Sequence, residues 1–214
     1  VVATEFRLYA TPVSVYSCKL RLALALKGLE WTELPPPGGY GSAEYKAIVP
    51  QGTVPALVHG DFVLSESDAI VEYLDEIGAG APLMPDRPRD RARARALSRF
   101  IDTRLEPAAR ALFPLVGAGA PVPEAARAAL MRHLETLSAL AGPGPFLGGA
   151  RPGLPDCGLW PVAAVLAMLD RALALGLPPP ALADSAWGVP EVADHLADYR
   201  LALTEWAAAK GVRP

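Results

Sequence analysis

Every strand-like run in this chain ends by residue 65, and beyond about residue 88 the pattern is helical throughout. That asymmetry limits the fold more than any single motif. "EFRLY" (residues 5–9) reads as a strand and "ATPVS" breaks it at a proline. From Ser14 to about Lys27, Leu20, Ala23 and Leu24 recur at helical spacing, and Gly28 stops the run. "EWTELP" is a second short strand, "PPPGGYGS" a loop and "EYKAIV" a brief helical turn. "TVPALVHGDFVLSES" sets two apolar runs around a His-Gly-Asp turn, a hairpin signal. "SESDAIVEYLDEIG" is an amphipathic helix over 68–77, with Ile70, Val71, Leu74 and Ile77 on one face and Gly78 at its end.

The order is therefore β-α-β, loop, β-β-α. The crossover makes two strands parallel and the hairpin adds antiparallel pairing, so a small four-stranded mixed sheet with helices on its faces is expected. "GAGAPLMPDRPRD" then reads as a Gly/Pro-rich linker. Helices are predicted over 88–117, 123–141, 155–176 and 190–210. The expected organisation is an α+β domain over residues 1–79, a linker over 80–88 and an all-α helical bundle over 89–214. The arginines at 87, 89, 91, 93, 95 and 99 read as a solvated helix face, because the chain carries a net charge of −3. The four tryptophans, the Leu/Ala stripes and Met168 read as core.

At 214 residues the chain can hold one large domain or two modest ones, and its 51% hydrophobic and 20% charged residues suit a globular protein. No global basic field argues for nucleic acid, and no apolar run has membrane-spanning length. "VVATEFRLYA" carries no basic segment followed by an apolar one, so a cytoplasmic location is expected. Cys18 and Cys157 stand far apart and three scattered histidines lack ligand spacing, so no disulfide framework and no metal site is expected.

Three segments carry candidate chemistry. Ser14–Ser17 ("SVYS") sits where strand passes to helix, and a redox protein would place cysteines at both ends of such a tetrad. Ser14 can cap the helix. It can also donate a hydrogen bond to an anion held by the free N–H groups and the positive end of the dipole. With no histidine or carboxylate nearby in sequence to act as base, it suits holding an anion rather than attacking a substrate. A thiolate is such an anion. In "SES", Ser65 and Asp68 have capping-box-like spacing, Ser67 can bind a carboxylate, and Glu66 can pair with an ammonium. In "TVPALV", a cis Val54–Pro55 bond would turn the Val54 backbone toward a ligand.

These pieces, in this order, resemble the cytosolic glutathione transferases. "RLYATPVSVYSCKLRLALALKGLEW" resembles their first strand and helix, most closely in serine-type classes such as zeta and its bacterial relatives. "EYKAIVPQGTVPALV" is similar to the family's N-P-x-G-x-V-P segment, and "LSESDAIVEYLDE" to its E/Q-S-x-A-I-x-x-Y-L. "FLGGARPGLPDCGLWPV" resembles the start of the helical domain's central helix. The resemblance implies a thioredoxin-like N-terminal domain, a helical C-terminal domain, a homodimer, and glutathione as cosubstrate. Ser14 matches the serine that hydrogen-bonds the glutathione sulfur. Val54 and Pro55 match the pair that holds the cysteinyl part. Glu66 and Ser67 match the residues that hold the γ-glutamyl end, and Gln51 and Thr53 line the same groove. A small electrophile is expected between the domains against Val13, Tyr16, Arg104, Leu105 and Ala108. Tyr9 is a reserve donor to the sulfur.

The chain departs from the family pattern at several places. Val49 replaces the usual Asn before Pro50. Val15 and Tyr16 stand where zeta enzymes carry a second Ser and a Cys. Gly153 replaces the Ser or Thr that pairs with Asp156, so a poorly capped central helix is expected. The reaction expected is transfer of glutathione to a hydrophobic electrophile. The rivals are a zeta-like cis–trans isomerase and a non-catalytic carrier or interaction module.

Overall fold

The computed structural model describes residues 5–78 and 80–212, so the expected domain limits at 1, 79 and 214 lie outside the described residues. Four short strands form one sheet: β1 (Phe6–Tyr9), β2 (Trp31–Leu34), β3 (Ala56–His59) and β4 (Phe62–Ser65). The sheet order is β2-β1-β3-β4. β1 runs parallel to β2 and antiparallel to β3, and β3–β4 is the hairpin. Helix α1 (Val15–Leu26) makes the crossover, α2 (Ala43–Lys46) is a single turn, and α3 (Ser67–Glu76) follows the hairpin. The helical part comprises α4 (Pro88–Phe100), a π turn (Ile101–Leu105), α5 (Glu106–Arg110), α6 (Glu124–Leu140), α7 (Leu154–Leu173) and α8 (Pro190–Ala208). The predicted helix over 88–117 is thus broken by the π turn and fades into a 3-10 turn at Phe113–Leu115.

Two helices carry the architecture. α7 is buried along most of its length, from Leu154 to Leu169, and forms the axis of the helical part. α1 is buried on all sides, with Cys18, Leu20, Leu22, Ala23 and Leu24 fully enclosed. A helix apolar around its whole circumference needs partners on every face. The sheet and α3 supply one side, and α7 and α8 supply the other. Of the apolar face expected on α3, Ile70, Val71 and Leu74 are buried. Ile77 instead caps the helix end and is 38% exposed. The four tryptophans divide: Trp160 is core, Trp187 is exposed, and Trp31 and Trp206 are half-buried.

Inside this apolar frame lies a fully enclosed cation. Lys19 is 0% exposed, and its Nζ lies 2.5 Å from Asp68 Oδ1, 2.7 Å from Asp102 Oδ2 and 3.1 Å from Ser98 Oγ. Burial disfavours the charge, but the two carboxylates outweigh it and hold the ammonium above its ordinary value. These four side chains tie α1 to α3, to α4 and to the π turn. A second chain of contacts runs Lys27–Asp75, Asp75 to the Leu83 N–H, and the Leu83 carbonyl to the Leu154 N–H. It fastens the connecting segment between the two halves to the start of α7.

That start is better held than its sequence suggests. The Asp156 carboxylate accepts N–H bonds from Leu147, Gly148 and Gly153 at 2.7–2.9 Å. Burial nonetheless pushes its carboxyl up to about 6. Gly153 is required by close approach: a Cβ there would stand 2.6 Å from the Leu83 carbonyl oxygen. The expected weak cap is therefore corrected, since the carboxylate gathers three donors and the glycine makes room for the connecting segment. Restoring the family hydroxyl with Gly153→Ser adds a cap worth only a few tenths of a kcal/mol over glycine. It also forces a backbone clash costing about 1–3 kcal/mol. Urea unfolding should show net destabilisation. A raised midpoint would show that the Leu83 segment yields freely. Lys19→Met should cost about 3–5 kcal/mol in the same assay, because two carboxylates lose their cation. A loss under about 1 kcal/mol would show that the pair is not holding the halves together.

Candidate functional site

β1 ends at Tyr9, and the chain turns through Thr11–Val13 to place Ser14 at the N-cap of α1. Ser14 is extended (φ −75°, ψ 120°), and its Oγ accepts the Ser17 N–H at 3.1 Å. The cap role is therefore present. Accepting that bond leaves the Ser14 O–H proton free to donate, and a hydroxyl polarised by an N–H is the better donor for it. Cap and anion donor are two uses of one oxygen. The first turn of α1 carries no acidic residue to repel an anion.

Ser14 opens into a cleft of about 1160 Å³ between the sheet and the helical part. On the sheet side the cleft is lined by Thr53, Val54, Pro55, Glu66 and Ser67, and the Val54–Pro55 bond is cis. Gln51 is adjacent: its Nε2 donates to Glu66 Oε1 at 3.3 Å, and its Oε1 accepts from Ser65. The structure thus brings Ser14 together with all the expected partners on this side. The capping box expected of Ser65 and Asp68 is not formed. The N-cap is Glu66, which makes no side-chain cap bond, and Asp68 turns instead to Lys19 and Ser98. Glu66 has φ +74°, a left-handed conformation rarely adopted by a non-glycine residue. It separates the Glu66 side chain from the helix face that carries Ser67, and both line the cleft.

The helical side differs from expectation. Val13 and Tyr16 line the cleft, but Arg104, Leu105 and Ala108 do not. Leu105 is fully buried, Ala108 packs against the core, and Arg104 is exposed. The lining residues are Arg99, Asp102, Thr103, Arg110, Phe113 and Trp206. The π turn causes the change. It is wider than an α-turn, so the face presented to the cleft is rephased across residues 101–105. A usable signal was present: Ser98, Asp102, Glu106 and Arg110 recur every four residues. Four residues overshoot one α-turn and fall short of one π turn, so this polar stripe stays aligned through the break. Most of the arginine run is exposed as expected, with Arg95 pairing with Glu72, yet Arg95 and Arg99 also face the cleft.

Tyr16 donates toward the Asp102 carbonyl and Glu106 Oε2, each at 3.2 Å. Burial, then the nearby carboxylates, hold its hydroxyl well above the ordinary tyrosine value, so it stays protonated. Tyr9 lies against Tyr45 in a separate small core with Val49, Ala56 and Val58, and is not a cleft residue. Cys18 is fully buried and its thiol is pushed up to about 12 by burial. Among the described residues no histidine lines the cleft, and no cluster of His, Cys, Asp and Glu is placed to hold a metal. No helix among them is long and apolar enough to cross a membrane. The cleft offers hydroxyl donors, the backbone on either side of a cis proline and charged groups of both signs. These suit a peptide-like zwitterion.

A glutathione S-transferase N-terminal domain model matches residues 8–82, and a glutathione S-transferase C-terminal domain model matches residues 68–202. The probable glutathione S-transferase GSTU6 of Oryza sativa subsp. japonica is 33% identical, with 96% of this chain and 97% of the relative covered. The structure of rice GST1 (OsGSTU1) in complex with glutathione superposes with a TM-score of 0.82 at 26% identity, covering 99% of this chain and 98% of that one. A maleylacetoacetate isomerase from Methylobacterium extorquens AM1, solved with malonate and GSH, gives a TM-score of 0.68 at 28% identity, covering 92% and 97%. A four-stranded mixed sheet followed by a helical domain, a serine-capped first helix in the cleft between them, and full-length kinship to these proteins place this chain in the glutathione S-transferase family.

Proposed function

We propose that this chain binds glutathione in the cleft, holds it as a thiolate at Ser14, and transfers it to a small hydrophobic electrophile. The observation that carries this reading is the Ser14 hydroxyl at the N-cap of α1, oriented by the Ser17 N–H and open to the cleft. A free thiol has a pKa of about 8.5, and each unit of lowering needs about 1.4 kcal/mol of preference for the charged form. One charge-assisted O–H bond with help from the helix dipole is enough for one to two units. In this reading Val54 and Pro55 hold the cysteinyl backbone, and Thr53 lines the groove beside them. Glu66 and Ser67 hold the γ-glutamyl ammonium and carboxylate, and Gln51 braces Glu66. The cosubstrate is glutathione, the class is serine-type and the location is cytoplasmic. The assembly is a homodimer and the role detoxification. The domains divide at 1–79 and 89–214 around a linker at 80–88.

Kinship with a maleylacetoacetate isomerase supports a second reading, in which the same thiolate adds to a cis-enedione and is later expelled. Val15 and Tyr16 in place of the second Ser and Cys of that class weigh against it. The test is the ultraviolet absorbance of bound glutathione thiolate against pH, for wild type and Ser14→Ala. Wild type should form thiolate one to two units below the free thiol. Ser14→Ala should lose that shift and fall on the order of 100-fold in kcat. A mutant that keeps the thiolate would move the role to another donor. Failure of wild type to bind glutathione would leave the non-catalytic carrier as the surviving reading.

A further inference from the structure

The helical wall of the cleft is aromatic and carries cations. Phe113 and Trp206 meet at 5.2 Å between centroids with their planes tilted by 47°, and both line the cleft. The Arg110 guanidinium lies 5.6 Å over Phe113, and Lys210 Nζ lies 4.9 Å over Trp206. Such a wall suits a flat conjugated ring.

The acids near this wall are paired with cations, although Asp102 Oδ1 is buried without a hydrogen-bond partner of its own among the described residues. Asp68 and Asp102 hold Lys19, Glu72 holds Arg95, and buried Glu106 is bound by both Tyr16 and Arg110. Glu106 therefore does two things: it neutralises part of its own burial cost and it fixes the guanidinium on the Phe113 face. Its bond uses one terminal nitrogen of Arg110, the only hydrogen bond of that side chain among the described residues. The side chain stays 50% exposed, with its remaining donors available to the cleft it lines. A guanidinium with free donors over an aromatic face is a fork for a planar oxyanion.

We infer that Arg110 is a specificity-determining residue, and that the electrophile half of the cleft selects aryl electrophiles bearing a carboxylate or comparable oxyanion. This inference rests on the transferase reading above and narrows its substrate class. In the reaction concerned, the glutathione thiolate forms a bond to the ring carbon bearing a halogen. The carbon–halogen bond then breaks, the halide leaves with the electron pair, and the thiol proton has already passed to solvent. Arg110 holds the distant oxyanion and takes no part in bond making.

The probe is a matched pair, 4-chloro-3,5-dinitrobenzoate and its methyl ester, which react by the same displacement but differ by one charge. Each kcat/KM is divided by the uncatalysed rate constant with glutathione. Wild type should favour the benzoate by about tenfold or more, the worth of one charge-assisted fork. Arg110→Gln should remove that preference, cutting benzoate turnover about tenfold while leaving the ester within about twofold. Arg110→Lys, which keeps the charge, should retain part of it. Equal losses for both electrophiles would overturn the inference, because Arg110 would then act only by bracing Glu106. A wild type that turns over both without charge preference overturns it as well. Absence of glutathione binding by calorimetry overturns the transferase reading and this inference with it.

Discussion

Lys19 is the interaction on which the arrangement of the cleft depends. It is a fully enclosed ammonium held by two carboxylates and a hydroxyl that come from three further elements. Taking these groups out of water is costly, and a buried pair of this kind is weak evidence of net stability. Its value here is geometric. Lys19 is five residues along α1 from Ser14, and Asp68 is the neighbour of Ser67. One cation therefore sets how far Ser14 stands from Ser67 along the cleft. Asp102, its other partner, lies on the opposite wall. An apolar substitute would fill the space without fixing that triangle.

The two walls of the cleft are built by different physics. The sheet wall is made from backbone: a cis Val54–Pro55 bond, a left-handed residue at Glu66 and a helix N-terminus at Ser14. The helical wall is made from side chains set by a π turn, an aromatic pair and charges placed against it. Backbone shape recognises the part of a ligand that never varies. Side chains leave room for a partner that does.

The legibility of the sequence follows the same division. The strands, the hairpin and α1, α3, α6, α7 and α8 were readable because apolar periodicity and Gly/Pro stops are local. That Ser14, Thr53, Val54, Pro55, Glu66 and Ser67 share one cleft was legible because each sits in a short segment of fixed order. Lys19 was not, since its partners lie 49 to 83 residues away in sequence. The lining expected at Arg104, Leu105 and Ala108 failed because a π turn leaves no strong mark in residue preference, and it rephases the wall. Trp206 passed for core because a half-buried aromatic at helical spacing resembles a packed one until α8 is seen beside the cleft. Ser65 passed for a cap because the unusual φ of Glu66 has no glycine to announce it.

Both cysteines of the chain are fully buried, with their thiols raised far from ionisation by burial. Neither offers a thiolate to peroxide or to a disulfide at neutral pH. Oxidative stress therefore has no handle on the folded polypeptide through a cysteine thiolate. On the transferase reading, an oxidant would act on turnover through the supply of reduced glutathione rather than through a cysteine of the chain.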